Sequence, residues 1–354
     1  MTNPDEQWGE TMDPSTDAET SPPDGASTTA DPSEPAFDRS IPRKLVHKAG
    51  PEAVWLTEIA QVGEHHYRCA GHVPRTHTLV NDAAEPAHTY YDLAFLTELG
   101  RQAGIATMHE YEGAPVDWAT VFLKFDLELV DPVPNARSPG PVPVIVDVRY
   151  RNRETEEGGL TVLAELTFEI DGVVRARATS MASAYEKGPY KAWRRDMRDD
   201  KPLTDHEPRV VEPIAPERVG RRDPDNVMIG ELRNGAAPGA YRCAAHVDTL
   251  HPHFFEHPMD HIPGVVHLEV MRQAALVAAH DHHGVSPAGA TIASARTKFL
   301  GFAELELPLD CDVAVGRATP EQDGVLAVPV SLTLSQPGNP KVTTARMVVR
   351  GFSG

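Results

Sequence analysis

The chain has 354 residues, 40% hydrophobic and 24% charged, ordinary globular usage that excludes a collagenous, wholly disordered or membrane-spanning protein. Its 33 basic against 52 acidic side chains leave a net charge of −19, a field that repels phosphate backbones and argues against nucleic-acid binding. Three cysteines, Cys69, Cys243 and Cys311, are too few and odd in number for a disulfide framework. No run approaches the ~20 apolar residues that span a bilayer, so neither membrane insertion nor an oxidising compartment is expected, and the location expected is the cytoplasm.

Residues 1–40 hold ten acidic side chains against one basic, Arg39, and are rich in Pro, Ser and Thr. Such a segment buries too little to offset its ordering entropy and is expected to be a disordered acidic tail. It has neither the basic start and apolar run of a secretory signal nor the Arg-rich, acid-poor character of a mitochondrial presequence. A first domain is expected over 41–185. Tyr67–Val73 reads as a strand, a Pro- and His-rich loop follows from Pro74 to His88, and Asp92 is placed to cap a helix running to about His109. Val121, Leu123, Phe125, Leu127 and Leu129 alternate with Lys124, Asp126 and Glu128, the period of a half-buried antiparallel strand. Leu160–Ile170 and Val173–Ala184 flank Asp171-Gly172, a hairpin signal. Over 186–212 the pattern fades into a linker. Its Lys187, Lys191, Arg194, Arg195 and Arg198 could dock an acidic carrier protein, but a solvated linker helix is the favoured reading because Asp196, Asp199 and Asp200 dilute the patch.

The second domain, expected over 213–354, repeats the first. Tyr-Arg-Cys-Ala-Gly-His-Val at 67–73 returns as Tyr-Arg-Cys-Ala-Ala-His-Val at 241–247, and Glu98-Leu-Gly-Arg-Gln-Ala returns as Glu269-Val-Met-Arg-Gln-Ala, at offsets of 174 and 171. Two ordered matches identify a tandem duplication. A helix opens near Pro263-Gly264, and Val325–Ser335 and Lys341–Arg350 form a hairpin about Pro337-Gly338-Asn339-Pro340. One helix against four or five antiparallel strands, twice, is an α+β layout.

Val265–Ala279 is apolar nearly all round, the mark of a buried helix. Glu269, Arg272 and Gln273 within it therefore need an account, since a lone buried charge is costly or shifts its pKa until neutral. Glu269 and Arg272 are three apart, hence on one face, and Glu98 and Arg101 repeat the arrangement. The residues alone leave two readings open: a structural ion pair, or a tuned carboxylate acting as acid or base between the halves. Gly264 and Val265 at a helix start offer backbone N–H groups to an oxyanion, unless Asp260 simply caps the helix. His251, His253, His257 and His261 lack closed-set ligand spacing, so no metal is expected. No G-x-S-x-G, P-loop or G-x-G-x-x-G occurs.

His257-Pro258-Met259-Asp260-His261-Ile262-Pro263-Gly264, followed by Leu268-Glu269 and Arg272-Gln273-Ala274-Ala275, resembles the D-H-P-x-D-H-x-P-G…E-A-x-R-Q-A signature of the A-factor biosynthesis (AfsA-like) family, the γ-butyrolactone synthases of actinomycetes. Val46-His47-Lys48, Pro74-Arg75-Thr76-His77 and Glu98-Leu99-Gly100-Arg101-Gln102-Ala103-Gly104-Ile105 are similar to the family's first half, so the resemblance covers about residues 43–353. His267 and Val270 depart from it, replacing aliphatic and small residues usual there. The Pro263-Gly264-Val265 stretch also looks like the dehydratase hotdogs, but His253-Phe254 stands two residues too early for their His-Phe-Pro segment.

The resemblance implies a tandem double hotdog, each domain a long helix wrapped by an antiparallel sheet, working as a monomeric pseudo-dimer or a homodimer. It implies γ-butyrolactone autoregulator biosynthesis: the hydroxyl of dihydroxyacetone phosphate attacks a β-ketoacyl thioester of a carrier protein or coenzyme A, with no cofactor. Glu98 or Glu269 would take the hydroxyl proton and the amides of Gly264 and Val265 would hold the oxyanion. Arg101 or Arg272 would bind phosphate or orient the glutamate, and Glu98 with Arg272 is the favoured pair. Gln102, Gln273 and His261 are expected to contact substrate. The alternatives are a hotdog acyl-thioesterase, with water as acceptor, and a non-catalytic acyl- or butyrolactone-binding module.

Overall fold

In a computed structural model the described residues are 34–84, 91–130, 140–156, 158–204 and 209–352. The acidic tail lies outside them as far as residue 33, as does the end of the first Pro- and His-rich loop, His88 included. The last part of the expected tail is not free: Pro35 is buried, the Thr57 hydroxyl donates to the Ala36 carbonyl at 2.8 Å, and the Phe37 ring lies 5.4 Å from that of His72.

The first half contains β1 (Leu56–Gly63), β2 (His66–Val73), α1 (Leu93–Glu110), β3 (Ala119–Leu129), β4 (Val142–Glu156), β5 (Gly159–Ile170) and β6 (Val173–Tyr185). A helix, α2 (Lys187–Asp199), leads to the second half: β7 (Arg233–Asn234), β8 (Ala240–Ala244), α3 (Gly264–His283), β9 (Thr291–Phe299), β10 (Asp310–Val315), β11 (Thr319–Pro320), β12 (Val325–Gln336) and β13 (Asn339–Phe352). The strands make one antiparallel sheet in the order β1-β2-β4-β5-β6-β3-β9-β13-β12-β10-β8-β7, with β11 beside β12. Each half thus gives six strands to the path, and the halves join edge to edge where β3 pairs β9, Asp126 opposite Arg296. This is a tandem hotdog, in which each sheet half wraps its own central helix.

Local chemistry explains the elements. Asp92 caps α1, its carboxylate accepting from the Phe95 amide at 2.9 Å. α1 and α3 are buried on almost every face, which is why neither shows a clean apolar stripe. The β5–β6 hairpin turns at Asp171 and Gly172, both at positive φ (51° and 71°), the backbone a two-residue hairpin turn needs. The second hairpin is tighter than the sequence suggests: Pro337-Gly338 alone makes the turn, and Asn339 and Pro340 already belong to β13. β3 carries an extra residue at Leu123, where its register against β6 shifts between Phe122 and Lys124. A bulge bends a strand, and this one lies in the stretch of β3 that faces the cavity described below.

The segment between the halves is more than a solvated linker. Arg194 of α2 is buried, its guanidinium 4.1 Å from the centre of the Phe302 ring and bonded through Nη1 and Nη2 to the Glu304 carboxylate at 3.1 and 3.0 Å. Arg198 and Lys201 reach the same carboxylate, which is itself wholly buried. No helix among the described residues is long and apolar enough to cross a membrane. Removing one partner of a buried ion cluster leaves the others uncompensated. Glu304→Ala is therefore expected to lower stability by roughly 3–5 kcal/mol, read as a lower urea midpoint; an unchanged midpoint would show that α2 is not anchored this way.

Candidate active site

Glu98 sits in the middle of α1, 1% exposed. Arg101, one turn on, grips it with two bonds, Nε to Oε2 at 2.8 Å and Nη2 to Oε1 at 2.9 Å, and Gln102 donates to Oε1 at 2.8 Å. The third partner comes from outside the helix: Lys48 Nζ lies 3.0 Å from Oε1. Lys48 follows a short 3₁₀ turn, Arg43–Val46, that ends in a left-handed His47 (φ 54°). Arg101 Nη2 donates to the Val46 carbonyl at 3.0 Å, so helix and turn fix each other. Burial opposes the Glu98 charge, but Arg101 and Lys48 outweigh it and hold the carboxyl well below the usual carboxylate range. Glu98 is an anion at rest.

α3 repeats the clamp. Arg272 bonds Glu269 through Nε and Nη2, both at 2.8 Å, and Gln273 donates to Oε1 at 2.7 Å. The outside cation here is Arg221, whose Nη2 lies 2.9 Å from Glu269 Oε1 and 3.0 Å from Asp92 Oδ2. Its Nη1 donates to the carbonyls of Leu79 and Asp82, each at 3.1 Å. Burial is again opposed, by Arg221 and Arg272, and Glu269 comes down to about 2.

The two clamps differ in access. Glu98, Arg101, His47 and Lys48 line a cavity of about 420 Å³; Glu269, Arg272 and Arg221 do not. The facing wall is the second half's loop and the start of α3: His253, Glu256, His257, Asp260, His261, Gly264 and Val265. Val121, Phe122 and Leu123 of β3 meet Phe299, Leu300 and Phe302 across the apolar part, with Trp193 of α2 beside them. Glu256 ties the halves together, its Oε1 accepting from the Ala49 and Gly50 amides at 2.7 and 2.6 Å, next to Lys48. α3 starts at Gly264 behind Pro263, which supplies no side-chain cap, and Asp260 does not cap either: its carboxylate binds His261 Nδ1 at 2.6 Å and faces Arg194 at 3.4 Å. The first amides of α3 therefore keep their capacity to donate into the cavity. Gly264 suits the tight fit there, since a Cβ would lie 3.0 Å from the Phe299 ring, which would have to give way.

The loop histidines have separate partners. His251 Nδ1 accepts from the His253 and Phe254 amides at 3.2 and 3.3 Å while Nε2 faces Asn226 Oδ1 at 3.0 Å. His257 binds Glu256. His253 stacks on Trp55, rings 5.8 Å apart and 3° from parallel, and meets His77 edge-on at 4.7 Å. Burial, only partly offset by Glu98, holds His253 well below its ordinary pKa, so a neutral imidazole adjoins the carboxylate.

Of the residues expected from sequence, Glu98, Arg101, Gly264, Val265 and His261 meet in one cavity. The favoured pairing of Glu98 with Arg272 does not form: the guanidinium on Glu98 is Arg101 of its own helix, and Arg272 is spent on Glu269 and the Val219 carbonyl. Gln102 and Gln273 do not line the cavity. Each accepts from a backbone amide (Trp55, Met228) and donates to a carbonyl (Ala53, Asn226), which anchors its helix to the preceding segment. Lys48 and His253 were not singled out as site residues. Extending the repeat from Val46–Lys48 to Val219–Arg221 would have flagged Lys48.

Fold and site together define a double hotdog in which one buried carboxylate of a duplicated pair faces an open cavity built by both halves. The chain belongs to the A-factor biosynthesis hotdog domain family, whose model matches residues 29–185 and 203–352. It is similar to the 2-oxo-3-(phosphooxy)propyl 3-oxoalkanoate synthase of Streptomyces virginiae, 28% identical over 76% of this chain and 85% of that protein. The protein of the same name from Streptomyces griseus is 28% identical over 79% of this chain and 91% of its own length. Among solved structures, the dehydratase domain from the CurJ module of curacin polyketide synthase is 11% identical over 84% of this chain and 95% of that one, with a TM-score of 0.45.

The buried imidazoles make stability pH-dependent. Burial takes His47, helped by His109 and Arg101, and His77, opposed by Glu98, down to about 4, and His267 to about 3. These depressed values mean that the unfolded chain binds protons first. Their contribution is complete above about pH 6.5 and is lost as pH falls from there toward 4, each group by up to ~1.4 kcal/mol per pH unit. Glu98 and Glu269 add a further loss only below about pH 4.5. Thermal melts are expected to give a level Tm above pH 7 and a falling one below 6.5; a level Tm down to pH 5 would show that these rings are not held neutral.

Proposed function

We propose that this protein transfers a 3-oxoacyl group from a thioester, of a carrier protein or coenzyme A, to a hydroxyl of dihydroxyacetone phosphate, forming the ester that the names of its relatives describe and that feeds γ-butyrolactone autoregulator synthesis. The observation that carries this reading is the juxtaposition, in one cavity, of an anionic carboxylate from α1 and uncapped amides from α3, with an apolar section beside them. Acyl transfer to an alcohol needs a group to receive the hydroxyl proton, donors for the oxyanion, and an acyl pocket.

The thioester oxygen lies on the Gly264 and Val265 amides and the acceptor hydroxyl on Glu98. As the C–O bond forms, the hydroxyl proton passes to Glu98; as the tetrahedral intermediate collapses, the C–S bond breaks and the thiolate takes that proton. Lys48 and Arg101 are the lysine and arginine that line the cavity, and they are the groups that meet the acceptor's phosphate. His253 shields the carboxylate and orients the hydroxyl as a neutral partner. Glu269, clamped by Arg221 away from the cavity, serves stability.

Mass spectrometry of the protein with a 3-oxoacyl thioester, with and without dihydroxyacetone phosphate, tests this. A phosphorylated 3-oxoacyl ester is expected only with the acceptor. Each substitution, Glu98→Gln and Glu269→Gln, leaves two clamped cations uncompensated and should lower Tm, but in the folded protein Glu98→Gln should reduce the rate by roughly 10²–10⁴-fold whereas Glu269→Gln should keep it within a few-fold. Free acid formed equally with and without acceptor would make the protein a thioesterase, and no turnover of any thioester would leave a binding module.

A further inference from the structure

One polar atom facing this cavity's surroundings has no partner. His267 lies three residues into α3 from Gly264 and is 2% exposed. Its Nδ1 is 2.8 Å from the Thr343 hydroxyl of β13, but Nε2 is buried without any hydrogen bond among the described residues. Helical side chains lean toward the helix N-terminus, so the ring lies over the turn that starts at Gly264. His267 lines the cavity together with Gly264 and Val265 but without the intervening Val266, and Phe299 flanks it, ring centres 6.2 Å apart. The surroundings keep the ring neutral: burial first, then His261, lower its pKa, against a smaller opposing effect of the Ile262 carbonyl. A buried nitrogen without a partner is costly, and a ligand in the cavity that supplies the missing bond recovers that cost.

We propose that His267 Nε2 binds an oxygen on carbon 3 of the acyl donor and so makes this protein selective for 3-oxoacyl over saturated acyl groups. The inference rests on the acyl-transfer reading above and deepens it. With the Thr343 hydroxyl donating to Nδ1, the ring proton sits on Nε2, a donor beside the Gly264 and Val265 amides. Two neighbouring donor sites on one wall then match two carbonyl oxygens separated by a single carbon. A saturated chain leaves Nε2 unpaired, and a site built to hydrogen-bond a substrate discriminates strongly against the analogue that lacks the group.

Isothermal titration with 3-oxooctanoyl- and octanoyl-coenzyme A analogues carrying an amide in place of the thioester tests the selectivity without turnover. The protein is expected to bind the 3-oxo analogue at least tenfold more tightly. In His267→Leu, which keeps an apolar side chain of similar reach, that ratio should fall toward one through weaker binding of the 3-oxo analogue, and His267→Gln should restore part of it. A ratio unchanged in His267→Leu, or an equal loss of both analogues, overturns the proposal. The wild-type protein's ester formation from 3-oxooctanoyl-coenzyme A, followed in parallel, separates the two claims: turnover with an unchanged ratio defeats the selectivity alone, whereas a collapsing ratio without ester defeats the transfer reading alone.

Discussion

Two carboxylates buried in the middle of two helices have to be neutralised, and the rest of the molecule is arranged around how that is done. An unpaired buried charge would cost more than a domain of this size can spare. Glu98 and Glu269 each take an arginine and a glutamine from their own helix and one cation from a turn ahead of it, Lys48 or Arg221. Those turns are held by the opposite half. Glu256 of the second half accepts from the amides of Ala49 and Gly50, and Asp82 of the first accepts from those of Arg222 and Asp223. Each half therefore completes the other's clamp, and the edge-to-edge pairing of β3 with β9 joins halves that are already cross-braced.

The duplication is symmetrical in its bracing and unsymmetrical in its access, and a few positions account for the difference. Lys48 presents a compact charge that satisfies Glu98 and stops there. Arg221, at the matched place, is a planar fork that bridges Glu269, Asp92 and two backbone carbonyls. The helix starts differ in the same sense. α1 is capped by Asp92, so its N-terminus already has a carboxylate, whereas α3 begins behind Pro263 with the Gly264 and Val265 amides uncommitted. A site built from one helix's glutamate and the other helix's amides can then exist only once. The mirror arrangement, Glu269 with the start of α1, is filled by Arg221 and Asp92.

Much of this was legible in the sequence, and the parts that were not share a cause. The repeat of Tyr-Arg-Cys-Ala and of Glu-x-x-Arg-Gln-Ala identified two equivalent domains. The capping Asp92, the Asp171-Gly172 hairpin and the alternation along β3 followed from local rules that tertiary packing had no reason to override. The polar residues in an apolar helix drew attention to Glu98 and Arg101, which line the cavity, because buried charge is conspicuous in a pattern. Lys48 and His253 were inconspicuous: each lies in irregular chain, where no periodicity exists to be violated, and each matters only through a contact with another segment. The same blindness produced the Glu98–Arg272 pairing, since spacing along a helix shows which residues share a face but not which of two similar helices faces the opening. Two residues of the basic run of α2, Arg194 and Arg198, were inconspicuous for the same reason: the wholly buried carboxylate they answer, Glu304, is more than a hundred residues away, while Lys187, Lys191 and Arg195 are exposed.

The strong clamp on Glu98 constrains the chemistry as well as the fold. A carboxylate held well below its usual pKa is a poor base, and it cannot remove a proton from an alcohol ahead of bond formation. It can accept that proton as the C–O bond forms, when the attacking hydroxyl has become acidic, and the acid so produced is strong enough to protonate a departing thiolate at once. In the proposed transfer, what the clamp gives up in basicity it returns as position: the acceptor oxygen would meet a fixed anion and the developing oxyanion fixed amides. The second clamp places the same cluster away from the cavity. Whether such a cluster becomes a site depends less on its own residues than on whether its outside cation is a lysine that leaves room or an arginine that closes it.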